Sequence, residues 1–404
     1  MKAVLQVLSF DVASKALLAI LGILLIRFMP PTEYALYTFA LSISAVASQT
    51  LTSSFNRIYI VAYKNLNLDK AQVSFLGLQL LGTATFIILG IPLSKSLGVA
   101  YWVVSALIVA TCLSEFSKTF FQQGLEFIQF SLVEFFRSVA MLLGLLLLIL
   151  VVRYELRAWQ VLIIQAIAML IVFSPFVSKH VTMGELIKVP KALRIAKVIV
   201  NGSYRYLFGY FLLLAFFSQI DIFMLKATAN DLQLATYGSG FRYYIILLLT
   251  LSAVHTVLLP LVQGARDSEE LNAIFDRLKK MIVIFSLVAI IGGWTAQWFI
   301  PWVDGGKYPD AIIVFRILCV SAVVSFAFSP HVNILMRYER FRFLFALISM
   351  ALILSILLNL TLIPRWGAIG ASVATLISSA AVTFPIYFQS KKIIRQLLEA
   401  NCVL

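Results

Sequence analysis

Eight side chains are the first candidates for chemistry in this sequence: Asp11, Lys15, Gln49, Arg57, Asp221, Arg242, Tyr243 and His255. Each lies in or beside a long apolar run, and a charge at the centre of a membrane helix costs about 2.5–3.5 kcal/mol on insertion scales, so it faces a partner or a cavity. Asp11 and Lys15 are four residues apart and share one helix face. They form either a self-neutralising pair or a site at which the carboxylate takes up H⁺ or Na⁺. Asp221 and Lys226 fall in the outer third of a later span, and Asp221 is a second ion-coupling candidate. Arg242 lies about 14 Å along the next helix at 1.5 Å per residue. It is flanked by Tyr237, Tyr243 and Tyr244 and preceded by Gly238-Ser239-Gly240, small residues that let backbone or ligand come close. A guanidinium there can hold phosphate oxygens through two parallel bonds, which a lysine cannot. His255 is either a packing residue or a proton relay, and is kept as a coupling candidate. Ser42, Ala45, Gln49, Thr52 and Asn56, spaced three and four apart, align as a small and polar stripe ending beside Arg57. The stripe lines either a helix contact or a wet cavity able to take sugars. Glu134 and Arg137, three apart, read as a structural pair.

The elements that carry these residues are set by composition. The 404 residues are 61% hydrophobic and 12% charged, with a mean hydropathy of +0.98, against about 25% charged in soluble proteins. That excludes a soluble, disordered, coiled-coil or disulfide-scaffold protein and points to an all-α polytopic membrane protein. Twelve spans of about 20 residues fit at 4–28, 33–54, 72–93, 97–120, 131–152, 158–178, 204–226, 233–260, 277–300, 310–336, 341–363 and 367–389. The first is too long for a signal peptide, holds Asp11 and Lys15 and lacks a small-residue cleavage site, so it reads as a retained span. The net charge of +14 reports basic cytoplasmic loops rather than nucleic-acid binding. One side collects 21 Lys and Arg, Lys118 and the 179–203 cluster among them, and the other 7, which places both termini in the cytoplasm. Residues 179–203 divide the chain into bundles over 1–178 and 204–389, with a tail over 390–404. Their alternation of Leu193, Ile195, Ala196 and Val198 with Lys191, Arg194 and Lys197 fits a basic amphipathic helix on the anionic leaflet, or else a solvated linker. Ala35 and Tyr37 in the second span match Ala235 and Tyr237 in the eighth, and Arg27 matches Lys226, as in a duplicated six-helix unit.

Other chemistries find no support. The sequence has no G-x-x-x-x-G-K-[ST], H-E-x-x-H or G-x-S-x-G, and His180, His255 and His331 are isolated. Cys112, Cys319 and Cys402 have neither pairing nor metal spacing. Asn359-Leu360-Thr361 matches a glycosylation sequon but falls within a span, where it has no such use. Every outer loop is short, against a membrane-embedded sugar polymerase. No enzyme activity, catalytic residue, metal site or cofactor is expected, apart from H⁺ or Na⁺ as a coupling ion.

Three stretches carry a resemblance: Pro31-Thr32-Glu33-Tyr34-Ala35-Leu36-Tyr37; Gln219-Ile220-Asp221 through Ala235-Thr236-Tyr237-Gly238; and Asn359 through Pro364-Arg365-Trp366-Gly367-Ala368-Ile369-Gly370-Ala371. With the twelve-span count and the break after the sixth, the chain resembles the polysaccharide-export branch of the multidrug/oligosaccharidyl-lipid/polysaccharide (MOP) exporters, in particular the Wzx-type O-antigen repeat-unit flippases. The resemblance implies two six-helix bundles around a central cavity lined by spans 1, 2, 7 and 8, in a bacterial inner membrane. It further implies alternating access that carries an undecaprenyl-pyrophosphate-linked oligosaccharide between leaflets for O-antigen or capsule synthesis, in company with a polymerase and ligase. Lys15, Gln49, Arg57, Arg242 and Tyr243 would then face the substrate. A drug/cation antiporter of the same fold, coupled through Asp11 and Asp221, is the competing expectation.

Overall fold

The computed structural model describes residues 2–53, 55, 72–93, 99–123, 126–151, 156–180, 190, 193, 196–197, 202, 204–264 and 268–401. Among these every regular element is helical, because in hydrocarbon each backbone N–H and C=O must be satisfied within its own segment. The chain divides into two compact units, residues 1–215 and 216–404.

In the first unit, α1 spans Lys2–Phe28 and ends at Met29-Pro30. Next, α2 spans Pro31–Ser48, with a proline at its first turn, where no N–H is needed, and Glu33 near the positive end of its dipole. A π-turn, Gln49–Ser53, comes directly after it. Then come α3 (Gln72–Gly90), α4 (Val99–Gln123), α5 (Phe127–Val151) and α6 (Ala158–His180). The pairs α1 with α5, α4 with α6 and α2 with α4 are packed together. Leu25, Ile26, Met29, Tyr34 and Tyr37 are fully buried at the turn from α1 to α2.

The helix α7, Tyr204–Phe217, reaches the unit boundary, and the second unit holds α8 (Ile220–Thr228), α9 (Asp231–Gly264), α10 (Ser268–Asp304) and α11 (Ala311–Phe328). After a 3₁₀ turn come α12 (Val332–Arg337) and the long α13 (Phe341–Asn401). Gly367 in α13 has φ 53° and ψ −128°, a conformation that interrupts the helix between the eleventh and twelfth expected spans. The N–H of Ala368, freed by that break, donates to Oε1 of Gln233 at 2.8 Å.

Two expectations change. The single span over 204–226 is broken: Gln219, at φ −125° and ψ 0°, leaves the helix, and its carbonyl accepts from the N–H groups of Ile222 and Phe223. Asp221 therefore stands in the first turn of a new helix, where N–H groups lack intrahelical partners and negative charge is favoured. The stripe from Ser42 to Asn56 also loses its spacing, since the π-turn widens the helix at Gln49 and rotates the residues beyond it. The amphipathic reading of 179–203 falls mostly outside the described residues, as do Asn56, Arg57 and the side chains of Asp11 and His255.

Candidate functional site

The second unit buries a carboxylate among neutral donors. Asp221 is 6% exposed. Its Oδ1 accepts from Nδ2 of Asn359 at 2.7 Å, and its Oδ2 accepts from Oγ1 of Thr375 at 2.6 Å and from the Tyr237 hydroxyl at 3.1 Å. The Tyr237 and Thr375 hydroxyls lie 3.2 Å apart. Asn359 also donates to the Ser355 carbonyl at 2.9 Å, while its own Oδ1 is buried with no hydrogen-bond partner. Four helical segments supply the group: the first turn of α8, the early turns of α9, and the two halves of α13 on either side of Gly367. Lys226 does not neutralise Asp221, because its Nζ pairs with Asp231 at 2.7 Å across the α8–α9 turn. No Lys, Arg or His forms an ion pair with Asp221 among the described residues.

A carboxylate, an amide oxygen and two hydroxyls are hard donors, suited to a proton or an alkali cation and not to a thiophilic metal. Among the described residues no group of three or more His, Cys, Asp or Glu could hold a metal. A bare buried carboxylate carries a large desolvation cost, so exchanging H⁺ or Na⁺ here changes the local free energy substantially.

The first unit repeats this frame with no carboxylate at the position of Asp221, its acidic member being Glu33. Tyr37 is fully buried, and its hydroxyl accepts from Nε2 of Gln165 at 2.7 Å. Oε2 of Glu33 accepts from the N–H of Ala158 at 2.7 Å, as Oε1 of Gln233 does from Ala368. Glu33 precedes Tyr37, and Gln233 precedes Tyr237, by the same four residues; Gln165 lies seven residues after Ala158, and Thr375 seven after Ala368. The duplication suggested by Tyr37 and Tyr237 thus extends to equivalent hydrogen bonds. The counterparts of Asp221 and Asn359 fall at Leu21-Gly22 and in the apolar run Leu145–Leu150.

Charge in the first unit gathers elsewhere. Nζ of Lys118 on α4 lies 2.9 Å from Glu115 and 3.1 Å from Glu134, and Arg137 pairs with Glu134. Lys15 on α1 adds a positive charge within electrostatic reach of Glu134. Glu134 and Arg137 are therefore part of a four-residue network with Glu115 and Lys118.

Of the remaining sequence candidates, Gln49 is half-buried at the start of the π-turn, and its N–H donates to the carbonyls of Ala45 and Val46. Ser42, Ser48 and Thr50 return their hydroxyls to carbonyls three residues back on their own helix. Arg242 is half-buried on α9. Tyr243 packs edge-on against Phe299 and Phe315, with ring centroids 5.3 and 5.9 Å apart. Gly240 serves helix packing: a Cβ there would lie 2.8 Å from Val314 and 3.1 Å from the Ala311 carbonyl, so α11 sits directly against it. Tyr237, Asn359, Thr375 and Ser355 are site residues that sequence reasoning does not select. Asn359 carries the same signal as Asp221, a polar group within an apolar run, but its sequon context draws attention away from that.

The second unit thus carries, on a broken span of a duplicated helical frame, a buried carboxylate with no ion-pair partner among the described residues. The solved structures the chain matches are MOP-superfamily transporters, and the chain has their twelve-helix fold. Lipid II flippase MurJ in an inward closed conformation aligns with a TM-score of 0.76 at 14% identity, over 95% of this chain and 87% of that one. An inward-facing multidrug resistance MATE family transporter aligns at 0.68 and 15% identity, over 96% and 95%. A MOP superfamily transporter from Pyrococcus furiosus, described as having a binding pocket of reverse polarity, aligns at 0.57 and 14%, over 98% and 92%. In sequence the chain is 28% identical over 173 residues to an uncharacterized membrane protein of Methanocaldococcus jannaschii; the match covers 41% of this chain and only 39% of that protein. No family model matches the sequence.

Proposed function

We propose that this protein is an ion-coupled flippase of the bacterial inner membrane, which moves an undecaprenyl-pyrophosphate-linked O-antigen or capsule repeat unit from the cytoplasmic to the periplasmic leaflet by alternating access. The observation that carries the reading is Asp221: a buried carboxylate held by Asn359, Thr375 and Tyr237 with no counter-cation among the described residues, on a broken span of a fold shared with a lipid II flippase. Binding and release of H⁺ or Na⁺ at Asp221 would bias its helices between two packings, which is what coupling requires. Arg242 is assigned the pyrophosphate, since a half-buried guanidinium in a medium of low dielectric attracts it strongly. Lys15, Gln49 and Arg57 are assigned to the saccharide and its phosphates, and the lipid tail remains in the bilayer. Asp11 and His255 stay as secondary coupling candidates, and a polymerase and ligase as the partners receiving the flipped unit.

The MATE likeness supports a second reading, a drug/cation antiporter coupled through the same carboxylate. Depletion of the protein in cells separates the two. Intact lipid-linked repeat units should accumulate on the cytoplasmic leaflet, and re-expression of Arg242→Lys should clear part of the accumulation while Arg242→Ala clears none. Normal translocation with lost resistance to hydrophobic cations would select the antiporter instead.

A further inference from the structure

Arg316 is a cation that the proposed coupling site does not use. It stands on α11, exposed, five residues from the helix start at Ala311. Its Nε donates to the Gly293 carbonyl on α10 at 2.9 Å, and its Nη2 to Oε1 of Gln297 at 3.3 Å. A guanidinium has five N–H groups, so these bonds fix its plane and leave others to donate. No carboxylate pairs with it among the described residues. Around it, α10 presents an apolar outer face, with Ile284, Val288 and Ile291 exposed, that ends in Trp294, Trp298 and Trp302 at 63%, 54% and 76% exposure. Tryptophans spaced four apart on the lipid-facing side of a span mark its interfacial end.

Beside Arg316 lies a groove of about 420 Å³ between α10 and α11, lined by Ala289, Ile290, Trp294, Val320 and Val323. These residues have a direction. On α10, Ala289 and Ile290 lie a turn deeper than Gly293 and Trp294, and on the antiparallel α11, Val320 and Val323 lie one and two turns deeper than Arg316. The groove therefore runs from a fixed cation near the tryptophan-rich end toward the membrane interior and is apolar all the way. A cation left unpaired in such a place needs an anion, and the continuation of the groove calls for that anion to bear a hydrocarbon chain.

We propose that Arg316 and this groove bind one anionic phospholipid of the leaflet next to the Asp304–Asp310 loop, the guanidinium holding the phosphodiester and the groove the first part of an acyl chain. The site is separate from Asp221 and independent of the flipped substrate.

The test is native mass spectrometry of the full-length protein from mild detergent, with phosphatidylglycerol, phosphatidylcholine or inorganic phosphate added. The wild type should retain one phosphatidylglycerol at least tenfold more readily than phosphatidylcholine. Arg316→Gln should abolish that preference and Arg316→Lys restore part of it, while Val320→Trp, which fills the groove and leaves the cation, should lose the lipid. Equal retention of both lipids by the wild type, or unchanged phosphatidylglycerol retention in both Arg316→Gln and Val320→Trp, would overturn the proposal. So would inorganic phosphate displacing the lipid, or a groove occupied by a second copy of the chain, seen as a dimer that Val320→Trp dissolves.

Discussion

Tyr37 and Tyr237 occupy the same place in two halves of one chain, yet their hydroxyls meet different company. Tyr37 accepts from an amide, Gln165, and the pair is neutral. Tyr237 stands between Thr375 and the buried Asp221, which Asn359 holds from its other oxygen. The backbone frame is common to both, down to the side chain of residue 33 or 233 capping the N–H of Ala158 or Ala368. The difference is that one unit has Leu21-Gly22 where the other has a carboxylate. The two units thus share a scaffold and differ in where the carboxylate stands: Glu33 accepts a backbone N–H in one, and Asp221 is buried among Asn359, Thr375 and Tyr237 in the other. The first unit places its charges instead in the Glu115, Lys118, Glu134 and Arg137 network, where each carboxylate has a cationic partner. A compensated network of that kind holds helices together, whereas an uncompensated carboxylate can change state.

The largest effect is expected at Asp221. Asp221→Asn should reduce transport to background in reconstituted vesicles with expression retained, whereas Asp221→Leu, which takes away the acceptor shared by Asn359, Thr375 and Tyr237, should also lower the melting temperature. Arg137→Met removes one cation from a buried network and should cost about 3–5 kcal/mol of stability, read as an earlier thermal transition in detergent. Transport by the surviving folded fraction should continue; its complete loss would move the network from scaffold to mechanism. Gly240→Ala should cost about 1–3 kcal/mol, because its Cβ would press on Val314 and the Ala311 carbonyl, and Val314→Ala should recover part of that. Gln165→Leu, the neutral counterpart, should cost only about 1 kcal/mol with the transport rate nearly unchanged. Coupling lost in Gln165→Leu as fully as in Asp221→Asn would mean that the two frames share the task.

The helical class, the twelve spans and the candidacy of Asp221 are legible in the sequence because a bilayer imposes a length on apolar runs and a cost on charge within them. The partners of Asp221 are not. Asn359 and Thr375 lie 138 and 154 residues away in sequence, and nothing in the local pattern records which helices meet. The break at Gln219 is hidden because Phe217-Ser218-Gln219-Ile220 is apolar enough on average to continue a helix. The polar stripe of α2 misleads in the opposite sense: its spacing assumes 3.6 residues per turn through the π-turn at Gln49–Ser53. The partners of Lys118 are likewise not legible: only the packing of α4 against α5 shows it between Glu115 and Glu134.

The most direct test of the account is flipping in proteoliposomes loaded with undecaprenyl-pyrophosphate-linked oligosaccharide, under an imposed H⁺ or Na⁺ gradient, for the wild type and Asp221→Asn side by side. The account predicts that one of the two gradients accelerates exposure of the oligosaccharide on the far leaflet in the wild type and leaves Asp221→Asn unaffected. Equal, gradient-driven flipping by both proteins would contradict it.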